Sequence, residues 1–260
     1  MKEVYILTDS RGRGLCEVLD VQQLSEDLDL RVQVKSSSKL LRLIAKARDI
    51  FKSRPNTIYI VIVAGICDLT IIKSYGTIKE LQYHHNEDNI LRMLREIEGI
   101  YRDYAGSINI ATIYPASLEQ FYEYHNKIQQ LSPDQEQQKI LQKDIQELNK
   151  KIIEKNIETA IETINLSGLF HTSSKKKKEK RRVTKFNSKL LPDGVHPDDT
   201  TKTKCHNRVN TVLKAELTKK LLEIHSKEDG QSQSATSQSE SEQQEIEQWD
   251  HKRHKRQRRH

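Results

Sequence analysis

Three residues near opposite ends of the chain have the side chains of a nucleophilic hydrolase: Ser10, Asp193 and His196. A serine hydroxyl is a weak nucleophile at neutral pH, so it needs a base within hydrogen-bond reach and a carboxylate that fixes the tautomer of that base. His196 and Asp193, joined in the run Asp-Gly-Val-His, can supply both groups. This combination predicts attack on a carbonyl by Ser10, with His196 as the base and Asp193 as its orienting carboxylate.

Ser10 follows a short apolar run that is typical of a buried first strand. The run is VYIL at residues 4–7, and Gly12 and Gly14 open the next segment. A serine at this point lies at the carboxyl end of the strand, which is the edge where open α/β sheets bind ligands. We therefore expect Ser10 to face a ligand-binding crevice.

Apolar runs and helically spaced apolar residues alternate along the chain. The runs predict strands at residues 4–7, 30–34, 57–63, 108–113 and 161–166, and the spacing predicts helices between them. The third run is almost continuously β-branched and apolar, as expected for a central parallel strand that is buried on both faces. The alternation predicts an α/β fold, a three-layer α/β/α sandwich around a central parallel sheet with flavodoxin-like strand order.

A long polar helix is predicted over about residues 132–160, beginning at the capping sequence SPDQ. Apolar residues repeat along one stripe of this helix, at Leu141, Ile145, Leu148 and Ile152. The stripe has two interpretations: the seam of a dimerising coiled coil, or the side by which a charged helix lies on its own domain. The sequence does not decide the oligomeric state.

The last third of the chain changes in composition. Residues 172–189 have the polarity of a surface loop, and a last helix capped by Asp198 or Asp199 is predicted behind His196. From residue 227 Ser, Gln and Glu dominate until a basic end, which predicts a disordered tail. We therefore expect one domain over residues 1–226 and a disordered tail with a basic end over residues 227–260.

Four blocks resemble those of the SGNH (GDSL-type) hydrolase family and occur in the same order. The first block, Gly-Asp-Ser in the family, reads TDS at residues 8–10, and the last, Asp-x-x-His, is intact at residues 193–196. The second, a glycine after the second strand, falls within residues 35–38, where there is no glycine; the third, Gly-x-Asn-Asp, reads GICD at residues 65–68. The resemblance covers about residues 1–225, and TDSRGRGL is also similar to esterase-like domains of some animal retroelements.

The resemblance implies a carboxylic ester hydrolase that acts on a small acyl ester through Ser10, Asp193 and His196, with no metal or organic cofactor. In the family, the second-block glycine and the third-block asparagine donate N–H groups to the oxyanion of the tetrahedral intermediate, which makes Ser37 and Cys67 the oxyanion candidates. A thiol is a poor donor compared with an amide, and the loss of one oxyanion donor costs about 10²–10³ in rate. The alternative is a catalytically silent SGNH-like module that binds nucleic acid or protein through its basic segments.

The net charge of +7 is concentrated in two short basic clusters. One lies at residues 175–182 and one at residues 251–260; each has a net charge of +6, which leaves −5 for the rest of the chain. Such clusters can bind nucleic-acid phosphates without sequence preference, direct nuclear import, or only solvate their segments. The basic residues concerned are Lys175, Lys176, Lys177, Lys178, Arg181, Arg182, Lys252, Arg253, Lys255, Arg256, Arg258 and Arg259.

Cysteine usage and hydropathy predict the compartment. The three cysteines are widely spaced and odd in number, which is not typical of a disulfide framework or a metal knuckle and indicates a reducing compartment. The longest apolar run, residues 58–66, is about half the ~20 residues that a membrane helix needs, and the N-terminus has no apolar signal segment. We therefore expect an intracellular protein, cytoplasmic or nuclear, without membrane contact.

Overall fold

The computed structural model describes residues 1–20, 23–84, 86–127, 135–175 and 182–227, without the side chains of residues 16, 172–175 and 182–184. The chain divides into two compact units, Met1–Glu216 and Leu217–His260. The boundary between them falls within the last helix, α6, which covers residues 199–227. The fold and the site described below belong to the first unit.

A four-stranded parallel sheet forms the centre of the first unit. Its strands are β1 (Lys2–Thr8), β2 (Leu28–Val34), β3 (Thr57–Val63) and β6 (Ile108–Ile110), in the order β2-β1-β3-β6. β1 pairs with β2 along its whole length, from Lys2 opposite Leu28 to Thr8 opposite Val34. The predicted parallel sheet and its strand order are confirmed, and β1, which leads to Ser10, is a central strand.

The central strands are buried on both faces, because successive side chains of a strand point to opposite sides. One face contributes to a core that also contains residues of helices α1 (Leu40–Ser53), α3 (Glu87–Asp103) and α5 (Gln135–Glu158). Its strand residues are Tyr5, Leu7, Ile60, Ile62, Ile108 and Ile110. On the other face Val4, Ile6 and Val61 are fully buried, as are Val212 and Leu213 of α6. The sheet thus lies between two helical layers, as the three-layer prediction requires.

Two hairpins and two shorter helices complete the fold. The hairpin of β4 (Thr70–Tyr75) and β5 (Ile78–Tyr83) follows the short helix α2 (Ile66–Leu69), which itself follows β3. Helix α4 (Leu118–Asn126) begins after Ser117, whose hydroxyl accepts the N–H of Gln120. A second hairpin consists of β7 (His171–Lys175) and β8 (Arg182–Phe186).

The prediction of a fifth strand at residues 161–166 is wrong. Ile164 accepts one backbone hydrogen bond from Thr112, at 3.0 Å, and Glu162 accepts one from the Asn109 side chain, at 3.0 Å, without a ladder. The neighbouring strand β6 has only three residues, and Ala160, with φ 55°, turns the chain just before the segment. The prediction of a loop at residues 172–189 is also corrected, since β7 and β8 occupy residues 172–175 and 182–186 of it.

Helix α5 lies on its own domain by the apolar stripe. The four stripe residues, Leu141, Ile145, Leu148 and Ile152, are at most 3% exposed and belong to the core of the first layer. Because this burial occurs within one chain, the stripe is not free to form a dimer seam. The structure therefore supports the second interpretation of the stripe. The first three residues of the capping sequence, 132–134, lie outside the described residues.

Candidate active site

The three residues predicted for the hydrolytic chemistry lie side by side. The Ser10 Oγ is 3.1 Å from the Nε2 of His196. On the far side of the ring, the His196 Nδ1 is 2.7 Å from the Oδ2 of Asp193. Both are hydrogen-bond distances, so a proton can pass from the hydroxyl to the imidazole while the carboxylate holds the other ring nitrogen.

Segments from the two ends of the first unit position this arrangement. Ser10 begins a single 3₁₀ turn, Ser10–Gly12, just after β1, and Asp193 and His196 lie in the turn before α6. The Oδ1 of Asp193 accepts the N–H of Val195 at 2.9 Å and that of His196 at 2.6 Å. Asp commonly stabilises such turns through its own side chain. The spacing Asp-x-x-His therefore builds a local turn that also brings the carboxylate to the ring.

Gly194 is required by the backbone of this turn. Its φ is +77°, and an added Cβ would lie 2.3 Å from the backbone N of Phe121 and 2.4 Å from the carbonyl O of Ser117. The Gly194 carbonyl also accepts the N–H of Ser117 at 2.8 Å. A side chain at this position would separate the turn from the start of α4 and displace the imidazole.

The site is charged and open to solvent. Burial alone would raise the pKa of Asp193, but hydrogen bonds from the His196 ring and from the N–H groups of His196 and Val195 outweigh it and lower this pKa. Asp193 is therefore ionised at neutral pH. The His196 side chain is 47% exposed and that of Asp193 24%, so the imidazole is accessible to solvent.

A buried ion pair supports the turn of Ser10. Asp9 accepts hydrogen bonds from the Nε of Arg11 at 3.1 Å and from its Nη2 at 2.7 Å, and the two side chains are at most 3% exposed. The guanidinium lies over the ring of Tyr114, 4.3 Å from its centroid, an arrangement that favours a cation. Asp9 thus anchors the turn. No sequence pattern predicts that Arg11 and Tyr114 pack against it.

The oxyanion candidates Ser37 and Cys67 follow β2 and β3 at the same edge of the sheet as Ser10. Ser37 has φ 55°, so it holds the left-handed backbone that normally favours glycine. Cys67 is partly buried in α2, and burial raises the pKa of its thiol. The thiol is therefore neutral at neutral pH, a poor hydrogen-bond donor and a poor nucleophile.

Asp68 links the third block to the loop that carries Ser37. Its Oδ2 accepts the N–H of Leu40, the first residue of α1, at 2.6 Å. Asp68 therefore caps α1, a helix that precedes it in the chain. The carboxyl group is buried, and this desolvation raises its pKa to about 6.

Most residues of the two basic clusters lie outside the described residues. These are Lys176, Lys177, Lys178, Arg181, Lys252, Arg253, Lys255, Arg256, Arg258 and Arg259. Lys175 and Arg182 are described only as backbone, where they pair at the ends of β7 and β8. Among the described helices, none is both long and apolar enough to cross a membrane.

No protein-family profile and no curated protein matches the sequence. Similar solved structures include an acetyl xylan esterase, with 14% identity over 80% of this chain and 97% of that chain and a TM-score of 0.48. A member of the lipolytic G-D-S-L family from Veillonella parvula has 12% identity over 82% of this chain and 98% of that chain, with a TM-score of 0.48. A carbohydrate esterase family 3 from Talaromyces cellulolyticus has 13% identity over 85% of this chain and 99% of that chain, with a TM-score of 0.49.

These solved structures are two esterases and a G-D-S-L protein, and with TM-scores of 0.48 and 0.49 the likeness does not assign this chain to their family. The α/β fold of this chain is defined by its own parallel sheet and the helices beside it. At 12–14% identity the likeness assigns no activity and no residue role to this chain. The chemistry has to be argued from the site itself.

Proposed function

We propose that this chain is a serine hydrolase that cleaves small acyl esters. The observation that carries the proposal is the hydrogen-bonded path from Ser10 through His196 to Asp193, with distances of 3.1 and 2.7 Å. The position of Ser10 after a central parallel strand supports it, because ligands of open α/β sheets bind at that edge.

In this proposal the Ser10 Oγ attacks the carbonyl carbon of the ester while the His196 Nε2 accepts the hydroxyl proton. The intermediate collapses when protonated His196 gives this proton to the departing alkoxide, which leaves as an alcohol. Water then attacks the acyl-Ser10 carbonyl and gives a proton to His196, which returns it to Ser10 as the carboxylic acid leaves. Asp193 stays ionised throughout and stabilises the imidazolium.

The oxyanion of the tetrahedral intermediate needs N–H donors, and we assign the backbone N–H groups of Ser10 and Ser37 to this role. The left-handed backbone of Ser37, with φ 55°, supports the second assignment, because it is the conformation that a glycine in the second block would adopt. The side chain of Cys67 has no amide group to donate a further hydrogen bond. The absence of one donor costs about 10²–10³ in rate, so we expect slow turnover.

A fluorophosphonate probe tests the proposal without knowledge of the substrate, because it labels an activated serine. We expect one label, at Ser10, in the folded protein and none in the Ser10→Ala variant or after heat unfolding. Ser53→Ala is the matched control, since Ser53 is an exposed serine at the end of α1. A folded protein that stays unlabelled at Ser10 would contradict the proposal.

The basic clusters favour a second candidate function, a catalytically silent module that binds nucleic acid or protein. The observation that favours it is the charge of +6 in each of two short segments against −5 for the rest of the chain. Nucleic-acid binding of this kind is mainly electrostatic and indifferent to sequence. The same segments can direct nuclear import, which a reporter protein fused to residues 227–260 would test.

A further inference from the structure

The loop that follows β2 begins beside the nucleophile. Thr8 and Val34 pair at the ends of β1 and β2, and the N–H of Lys35 donates to the carbonyl of Thr8 at 2.9 Å. Ser10 is only two residues beyond Thr8. The loop at residues 35–39 therefore begins next to the segment that carries Ser10.

Three exposed basic side chains surround this loop. Lys35 and Lys39 lie at its two ends, and Arg13 follows the 3₁₀ turn of Ser10. The Nη2 of Arg13 donates to the Oγ of Ser36 at 2.9 Å, so the guanidinium lies against the loop. We name Arg13, Lys35 and Lys39 the basic rim.

Three carboxylates at this edge of the sheet are already engaged. Asp9 pairs with Arg11, Asp193 binds the His196 ring, and Asp68 is buried against the N-terminus of α1. Within the described residues no ion pair involves the basic rim, whereas some other arginines are paired, as Arg48 is with Glu96. The surface beside the Ser10 turn therefore carries three basic side chains outside any ion pair of the described residues, and such side chains attract anions.

We infer that the ester substrate carries an anionic group and that the basic rim binds it. The group is a carboxylate, sulfate or phosphate, since a guanidinium binds such groups through two parallel N–H donors and an ammonium binds them as a point charge. The inference rests on the proposed function, because it names the substrate class of the same Ser10 site. The exposure of the rim makes this binding sensitive to salt.

Two pairs of esters test where the anionic group lies. The acyl arm compares mono-4-nitrophenyl succinate with 4-nitrophenyl butyrate, and the alcohol arm compares 4-acetoxybenzoate with phenyl acetate, each corrected for hydrolysis by the Ser10→Ala variant. The measured quantity is the ratio of kcat/KM for the anionic ester to kcat/KM for the neutral ester. In at least one arm we expect R13Q/K39Q to lower this ratio about tenfold, which is the size expected for the loss of two exposed ion pairs. The ratio should stay constant in K46Q/R92Q, which removes one exposed lysine and one exposed arginine from α1 and α3.

Equilibrium binding separates a failure of this inference from a failure of the proposed function. NMR titration of Ser10→Ala protein with monoethyl succinate, 4-acetoxybenzoate and their neutral counterparts, ethyl butyrate and phenyl acetate, needs no turnover. We expect at least one anionic ester to bind more tightly than its counterpart, by a margin that R13Q/K39Q and raised salt abolish. Equal binding within both pairs, or a preference that R13Q/K39Q leaves unchanged, overturns the inference whether or not the probe labels Ser10.

Discussion

At the scale of single residues, Asp193 divides its two oxygens between structure and chemistry. Its Oδ1 accepts the backbone N–H groups of Val195 and His196 and so holds the turn. Its Oδ2 accepts from the Nδ1 of His196, which leaves Nε2 free to accept the proton of Ser10. A substitution that preserves one oxygen therefore separates the two roles.

Asp193→Asn is that substitution. An asparagine keeps one oxygen for the turn, but its amide donates to the Nδ1 of His196 and forces the proton onto Nε2, which then cannot accept from Ser10. We expect the rate of fluorophosphonate labelling of Ser10 to fall about 10³–10⁴-fold, while the free energy of unfolding changes by less than about 1 kcal/mol. An unchanged labelling rate in the folded variant would show that Asp193 does not orient His196.

Cys67→Asn tests the oxyanion site at the third block. An asparagine restores a side-chain amide donor, which is worth up to about 3–4 kcal/mol in the transition state. We therefore expect the rate of hydrolysis of a short activated ester to rise about tenfold or more. Cys67→Ala is the control, because it removes the thiol without adding a donor. If Cys67→Asn and Cys67→Ala hydrolyse the ester equally, this position does not face the oxyanion.

At the scale of the elements, the loop after β2 carries measurable backbone strain at Ser37. A residue other than glycine in the left-handed region lowers the free energy of unfolding by about 1–2 kcal/mol. Glycine lowers it by about 0.5–1 kcal/mol, because the unfolded chain gains conformational freedom. We expect Ser37→Gly to raise the free energy of unfolding by about 0.5 kcal/mol relative to Ser37→Ala, which keeps the strain. Urea unfolding measures both, and a less stable glycine variant would show that the strain is absent.

Asp68, which joins α2 to the start of α1, makes stability depend on pH. Its pKa of about 6 in the folded chain lies above its ordinary value of 3.8, so the buried carboxyl group favours folding when protonated. This contribution is complete below pH 3.8 and is lost as the pH rises through 6.

The Asp68→Asn variant removes this titration but keeps an oxygen for the N–H of Leu40. Between about pH 4 and pH 7 we expect the wild-type free energy of unfolding to fall by about 2–3 kcal/mol relative to that of the variant. Urea unfolding at several pH values measures the difference. Parallel pH profiles for the two proteins would contradict the raised pKa.

The elements best predicted from the sequence are the strands of the central sheet, because their burial requires a regular pattern of apolar residues. β3 has the predicted bounds, and β1 and β2 extend the predicted runs by one to two residues. The hairpin β4–β5 was not predicted, although Gly76, with φ +62°, marks its turn, because no residue of β4 is buried and the strand therefore has no alternating burial pattern. The strand predicted at residues 161–166 fails because its partner β6 is too short, which no local pattern reveals.

The residues of the candidate site also fall into those that the sequence predicts and those that it does not. Ser10, Asp193 and His196 could be predicted because their spacings and the turn chemistry around them are visible in the amino-acid sequence. The buried pair of Asp9 and Arg11 could not, because a charged side chain is expected at the surface unless its partner is known. Its burial depends on Tyr114, which lies more than a hundred residues away in the chain.

At the scale of the whole molecule, charge is distributed unevenly along the chain. The two basic clusters carry +6 each, and the remaining residues, which include the basic rim, carry −5. Ester hydrolysis needs only the Ser10 site, and nucleic-acid binding needs only the clusters. Nucleic-acid binding by the clusters can therefore be tested separately from ester hydrolysis at Ser10.

Replacing the six Lys and Arg residues at 251–260 with Gln tests the nucleic-acid proposal on the full-length chain. If these residues contact phosphates, the unaltered protein should bind unrelated duplex and single-stranded sequences with similar affinity. In the variant, the slope of log binding constant against log salt concentration should become shallower by about 0.7–0.9 for each contact removed. Fluorescence anisotropy over a series of salt concentrations measures both slopes, and fluorophosphonate labelling of Ser10 should be equal in the two proteins. Equal slopes, or no binding by the unaltered protein at low salt, would leave the second cluster as solvated charge and remove nucleic-acid contact from its functions.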